Sequence, residues 1–161
     1  MKAKKLLFVS FALLAAIAFT FSGCTKQAEK SEELPNPIVQ RASLADIQTA
    51  LGFTFEALPE NITNVTFTTI ADTTAQVDFT SGDQTYNARK AKNTNQDITG
   101  VYIKFANSQT ITDANGNAVL YQYNDGAEGL STWFNTDFSY SIYCPAGFNL
   151  TAMQSMVNTI K

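Results

Sequence analysis

The chain has 161 residues, with 11 Lys and Arg against 14 Asp and Glu for a net charge of −3, and no histidine. That length suits one domain with room for a real core, and the acidic balance, with no basic run longer than Arg89-Lys90-Ala91-Lys92, argues against nucleic acid or an anionic lipid surface as a partner. The lack of histidine removes Ser-His-Asp and Cys-His nucleophilic arrangements as usually built, and with them the commonest zinc ligand.

Lys2, Lys4 and Lys5 open the chain, and an apolar run from Leu6 to Phe21 follows, broken only by Ser10 and Thr20. Small residues Ser22 and Gly23 then precede Cys24. Positive start, apolar middle and small residues at a cut are the order of a secretory signal peptide, expected over residues 1–23. The run is shorter than the roughly 20 apolar residues of a membrane-spanning helix. Phe21-Ser22-Gly23-Cys24 resembles a bacterial lipobox, with Phe21 where the usual pattern has Leu. The resemblance implies that Cys24 receives a diacylglyceryl group and that the peptidase cuts in front of it. One acyl chain holds a protein on a membrane only marginally, whereas two anchor it stably. The alternatives are an uncut apolar anchor and a plain secretory signal that leaves Cys24 free.

A cut before Cys24 leaves 138 residues. It removes three lysines and no acid, which moves the net charge from −3 to −6. With Cys24 given to lipid, Cys144 has no disulfide partner. A lone thiol at the end of an apolar strand pattern reads as a small buried group rather than a nucleophile. Residues 24–37 carry the lipidated cysteine and a polar, charged tether closing in Pro35-Asn36-Pro37. Such composition cannot bury a core. At full stretch the 25–37 segment reaches about 45 Å, so the domain hangs near a membrane without touching it.

The single domain is expected over 38–161. Ser43, with Asp46 three residues on, resembles a capping box. Leu44, Ile47 and Leu51 then give one apolar helical stripe, and Gly52 supplies the stop. After Leu58-Pro59-Glu60-Asn61 the period changes to two. Val65-Phe67-Thr69 and Ala75-Val77-Phe79 read as strands, and Gly82-Asp83 as a type II′ hairpin turn. The return strand from Gln84 to Lys92 has Tyr86 and Ala88 on one face, and 92–96 is a polar loop. Val101, Ile103 and Phe105 alternate as a further strand. Thr110-Ile111-Thr112 and Ala118 to Tyr123 flank Asn115-Gly116, a hairpin signal. Ser131–Phe134 and Phe138–Cys144 form the last hairpin. Asn149 caps a final helix striped by Leu150, Met153, Val157 and Ile160. The expected class is α+β: an antiparallel sheet of about six to eight strands, with an N-terminal and a C-terminal helix packed on one face.

The domain also resembles an uncharacterised family of Firmicute lipoproteins, whose domain recurs at the extracytoplasmic end of some anti-sigma-factor-like proteins. The residues that carry the resemblance run through most of the domain. They are Asn36-Pro37-Ile38, Leu51-Gly52-Phe53, Ala75-Gln76-Val77, Tyr86, Arg89, Ala91, Lys92, Asp97 to Tyr102, Trp133 and Tyr140-Ser141-Ile142. The segment from Arg89 to Tyr102 is the most specific, with Thr99 where the family usually has Ser. The resemblance implies an extracytoplasmic accessory domain and brings no established catalytic residues.

No phosphate-binding glycine loop is present. Asp113-Ala114-Asn115-Gly116-Asn117 faintly resembles the start of a calcium loop but lacks the fifth-position ligand and the distant bidentate Glu, so it reads as a hairpin turn. No cofactor and no metal site are expected. Arg89 and Asp97 are the most informative polar pair. Either Arg89 is a forked donor for an anionic group with Tyr86, Tyr102 and Trp133 as flat walls, or Arg89 and Asp97 form an internal ion pair that fixes the loop before Gly100. The structural reading is the favoured one. The function expected is a non-catalytic binding or sensing module, lipid-anchored on the extracytoplasmic face of a bacterial membrane. Its partner would be an envelope protein, peptide or polymer, and not nucleic acid. The rivals are a carboxylate-dependent enzyme acting on an envelope polymer and a purely structural envelope lipoprotein.

Overall fold

The computed structural model describes residues 36–93 and 96–161, and the expected signal peptide, Cys24 and nearly all of the tether lie outside them. The described residues belong to one compact unit. Its elements in chain order are β1 (Ile38–Arg41), α1 (Leu44–Leu51), β2 (Thr63–Ile70), β3 (Thr74–Ser81), β4 (Gln84–Lys92), β5 (Asn107–Thr112), β6 (Ala118–Tyr123), β7 (Gly129–Phe134), β8 (Phe138–Cys144) and α2 (Leu150–Thr159). The strands form one open antiparallel sheet in the order β1-β2-β3-β4-β8-β7-β6-β5. Two four-stranded meanders therefore meet where β4 pairs with β8.

Local chemistry explains the elements. The Ser43 hydroxyl accepts the Asp46 N–H at 3.2 Å and starts α1. Gly52, at φ 78, donates its N–H to Gln48 and stops the helix. At α2, Asn149 Oδ1 accepts the Ala152 N–H at 3.0 Å. Gly82 takes φ 59 at the first central position of the β3–β4 turn, as a II′ turn requires. The Asp113–Asn117 turn is wider than a two-residue hairpin, because both Asp113 carboxylate oxygens are occupied within the turn. Oδ1 accepts the N–H groups of Asn115 (2.9 Å) and Asn117 (2.7 Å), and Oδ2 accepts the Asn117 amide (2.9 Å). These bonds hold the Asp113 carboxyl below its usual pKa against the opposing pull of burial.

Period two assigns the sheet faces. Val77 opposes Ala88, which opposes Ile142, which opposes Ser131, which opposes Tyr121. This face carries the core: Ala75, Val77, Phe79, Tyr86, Ala88, Tyr140, Ile142, Cys144, Trp133, Tyr121 and Val119 are buried. Ile47 of α1 and Met153 and Val157 of α2 belong to the same cluster, as do Phe53 and Phe55 from the segment after α1.

One expectation needs correction. Residues 101–106 are not a strand; Val101 and Phe105 are half-buried and Ile103 is exposed, within an irregular crossover from β4 to β5. Alternation of apolar residues met a covering role here rather than a pairing role, because β5 lies at the far edge of the sheet and the chain must cross three strands to reach it. The residues just after Pro37, where no element was expected, form β1, which pairs with β2 from Ile38↔Ile70 to Arg41↔Phe67. The β-branched pair Ile38-Val39 was the available signal.

Candidate functional site

The second face of the sheet is polar. A single cross-strand row runs Thr68, Gln76, Arg89, Ser141, Thr132, Leu120, Thr110 from β2 to β5. The crossover passes over this row and is held by Arg89. Arg89 Nη1 donates to the Ile98 carbonyl at 3.0 Å, and Arg89 Nε donates to Gln76 Oε1 at 2.8 Å. Gln76 in turn donates through Nε2 to Asp78 Oδ2 at 2.9 Å, and Asn87 donates to Asp78 Oδ1 at 2.6 Å. Each of the two strands places two members of this network, because Gln76 and Asp78 share a face of β3, and Asn87 and Arg89 occupy the facing positions of β4.

Arg89 and Asp97 form no ion pair within 4.0 Å; among the described residues that geometry belongs to Lys90 and Glu56. Asp97 instead accepts the Thr99 N–H through Oδ1 at 2.8 Å, and the Thr99 hydroxyl accepts the Val101 N–H at 3.2 Å. These two local turns shape the crossover before Gly100. Gly100 sits at φ 61 against the Arg89 guanidinium, where a Cβ would collide with Nη1. Burial pushes the Arg89 guanidinium down from its usual pKa, and the charges of Asp78 and Asp97 and the Tyr102 side chain oppose that shift.

The aromatic walls expected around Arg89 are not around it. Tyr86 lies on the core face, stacked on Phe79 with centroids 5.5 Å apart. Trp133 lies on the core face too, parallel to Tyr140 at 5.0 Å and 6°. Tyr102 projects from the crossover and is 87% exposed. Residues 86 and 133 fall on the opposite phase of the strand alternation from 89, so no adjustment of the loop could bring them to the guanidinium.

Between the crossover and β5–β8 the second face holds an open cleft of about 460 Å³. Gln96, Asp97, Ile98 and Thr99 form one wall. Thr110, Leu120, Thr132, Phe134 and Ser139 form the sheet side, and Ala118 completes its edge. Trp133 and Tyr140, which alternate with these positions along β7 and β8, also border it. Of the residues singled out from sequence, Asp97 thus stands in the cleft wall and Trp133 borders it from a core-facing position of β7, while Arg89 holds the crossover through Ile98. Phe134 is a large side chain left 70% exposed at the cleft. Among the described residues the lining contains one carboxylate and no Lys or Arg.

Lys90 is the residue that sequence reasoning missed. It is only 1% exposed, on the core face. Its Nζ lies 3.6 Å from Glu56 Oε1, 4.3 Å from the Phe138 ring centroid and 5.4 Å from that of Tyr140. Burial lowers its pKa, and Glu56 opposes that shift. The signal was present in the alternation Tyr86, Ala88, Lys90 along β4. Cys144 is buried as well, its thiol donating to the Ala146 carbonyl at 3.0 Å. Among the described residues no group of three or more Cys, Asp or Glu side chains is placed to hold a metal ion, and no helix is long and apolar enough to cross a membrane. Comparison of the chain with protein-family profiles, with curated proteins and with solved structures finds no match.

Proposed function

We propose that the protein is a non-catalytic binding module, lipid-anchored through Cys24 on the extracytoplasmic face of a bacterial membrane, that takes its ligand in the cleft under the β4–β5 crossover. The observation that carries this reading is the cleft itself. It is of ligand-site size, and one of its walls is tied to the sheet by a part-buried hydrogen bond from Arg89 to the Ile98 carbonyl. The leader sequence and the lipobox resemblance support the anchor, and the likeness of the Arg89–Tyr102 segment to the Firmicute lipoprotein domain supports an accessory role. Among the described residues Asp97 is the one carboxylate in the lining, whereas glycoside hydrolysis as usually built needs two, about 5 to 9.5 Å apart. That favours holding a ligand over cleaving it. A mere spacer has no use for a shaped cleft.

The test is photo-crosslinking in intact cells from a reactive residue placed at Thr132, with Asp72 on the β2–β3 turn as the control position. Capture of a specific partner from Thr132 and not from Asp72 is expected. Equal capture from both positions, or none from either, overturns the binding reading. Mass analysis of the N-terminal peptide tests the anchor separately: an unmodified Cys24 removes it.

A further inference from the structure

We infer that the ligand of this cleft is a neutral glycan chain. The inference rests on the binding reading above and adds the chemical class. The first argument is charge. Among the described residues no Lys or Arg lines the cleft, and Asp97 stands in its wall. An anionic polymer would enter a site with no counter-charge, on a chain whose own net charge is negative. The second argument is hydrogen-bonding sense. Thr99, Thr110, Thr132 and Ser139 stand on the two sides of the cleft; the Thr99 hydroxyl already accepts the Val101 N–H and that of Ser139 donates to Asn93 Oδ1, which leaves Thr110 and Thr132 on the sheet side to meet a ligand. A hydroxyl both donates and accepts, so it meets sugar hydroxyls in either orientation. The third is the apolar surface. Leu120 and Ile98 lie among these hydroxyls, and the Phe134 ring stands 70% exposed beside them. An exposed aromatic ring next to a hydroxyl-lined groove is a platform for the C–H face of a pyranose, which an ionic or wholly polar ligand would leave unused.

Position in the fold separates a glycan from a peptide. The cleft lies on the face of the sheet, where β6, β7 and β8 are paired on both sides and the free edge is the outer side of β5. A peptide that binds by strand addition would pair along that outer edge, whereas across the face the sheet offers side chains. A sugar chain carries its donors and acceptors on its own rings and needs no edge. The open form of the cleft also suits a chain passing through rather than an enclosed metabolite.

The experiment is titration of the isotope-labelled full chain, followed by backbone NMR, with three neutral hexasaccharides: β-1,4-linked N-acetylglucosamine, β-1,4-linked glucose and α-1,4-linked glucose. A tetralysine peptide and a tetraglutamate peptide serve as charged comparisons. At least one hexasaccharide is expected to give saturable shifts at Thr110, Leu120, Thr132 and Phe134. Phe134→Ala should weaken that binding roughly three- to tenfold, the size of one aromatic contact. Phe134 is exposed, so the variant folds; Thr110→Val, also at an exposed position, is the second variant and should weaken binding without moving the rest of the spectrum. Saturable shifts at the cleft from tetralysine and from no sugar overturn the glycan assignment and leave the binding reading standing. Silence from every sugar, with specific crosslinking still obtained from Thr132, does the same. Silence in both experiments removes the two readings together.

Discussion

Lys90 offers the sharpest test of how this core is built. Its ammonium is enclosed by Phe138, Tyr140 and the Glu56 carboxylate, yet Glu56 is itself 73% exposed. Replacing Lys90 by Met keeps most of the aliphatic stem and removes the charge, and the carboxylate it abandons remains hydrated. Loss of the cation–ring contacts costs about 0.5–2 kcal/mol, and relief of the buried charge returns a similar amount, since apolar replacement of buried ion pairs is often neutral or stabilising. Lys90→Met should therefore stay within about 1 kcal/mol of the parent protein, whereas Lys90→Ala, which also empties the stem's volume, should cost about 2–4 kcal/mol. Glu56→Gln, lying between the exposed-pair and buried-pair limits, should cost about 1 kcal/mol. The assay is thermal and urea unfolding followed by fluorescence of Trp133, the one tryptophan in the chain, which is buried against Tyr140. A change of 1 kcal/mol corresponds to roughly 4 °C in a domain of this size.

The pH dependence gives an independent check. Burial lowers the Lys90 pKa below 10.5 in the folded state. Below the folded value both states hold the proton and the cost of the buried charge is fully present. Between the folded value and 10.5 the unfolded chain still holds a proton that the folded chain has shed, so this group's contribution rises with pH. The parent protein should gain stability relative to Lys90→Met as pH climbs from 7 toward 10. The comparison stops there because burial raises Tyr86, Tyr140, Tyr143 and Tyr121, the last to about 12, and buried tyrosines lose stability in alkali. A Lys90→Met variant as unstable as Lys90→Ala, or a parent protein that loses stability relative to Lys90→Met as pH rises toward 10, would refute the account.

Arg89→Met should cost about 1–3 kcal/mol through its lost hydrogen bonds and speed hydrogen exchange across the crossover at residues 96–101; Arg89→Lys should not restore protection, since an ammonium cannot reach Gln76 and Ile98 as a fork does. Gly129→Ala should cost about 1–3 kcal/mol or more in thermal unfolding, because the new Cβ overlaps the Phe148 ring, which is stacked on Tyr123. Ala71 and Asp72 both take positive φ (49° and 53°) in the β2–β3 turn, so Ala71→Asn with Asp72→Gly should stabilise by about 0.5–1 kcal/mol in urea unfolding. Cys144, buried with its thiol pKa raised by burial, should resist an aromatic disulfide reagent in the native protein at pH 8 and react once urea unfolds it, as located by peptide mass.

Where an element is specified by neighbours in the chain, it was legible. The helix caps at Ser43, Gly52 and Asn149 satisfy orphan main-chain groups within three or four residues, and each appears in the structure at that position. The β3–β4 turn is legible at Gly82 because positive φ favours glycine. The β2–β3 turn was not, because Ala71-Asp72 adopts a conformation that its own side chains disfavour and that pairing of the two strands imposes. Likewise Val101, Ile103 and Phe105 alternate as a strand does, and no local property of that run shows that it has no strand to pair with.

The candidate site divides in the same way. Arg89 and Asp97 stand out in the sequence as a charged pair, and charge alone suggests that they meet. The geometry gives them neutral partners instead: a carbonyl, an amide oxygen and a backbone N–H. By itself the sequence determined the alternation of faces, the helix limits, the hairpins and the leader pattern, all of them properties of short stretches governed by caps, turn conformations and periods of two and 3.6. The tertiary structure alone decided that β4 pairs with β8. That pairing lets residues 96–99 cross the polar face and form one wall of the cleft. It also puts Lys90 in front of Phe138 and Tyr140. Both follow from contacts between residues some fifty positions apart in the chain, whose pairing no local pattern encodes.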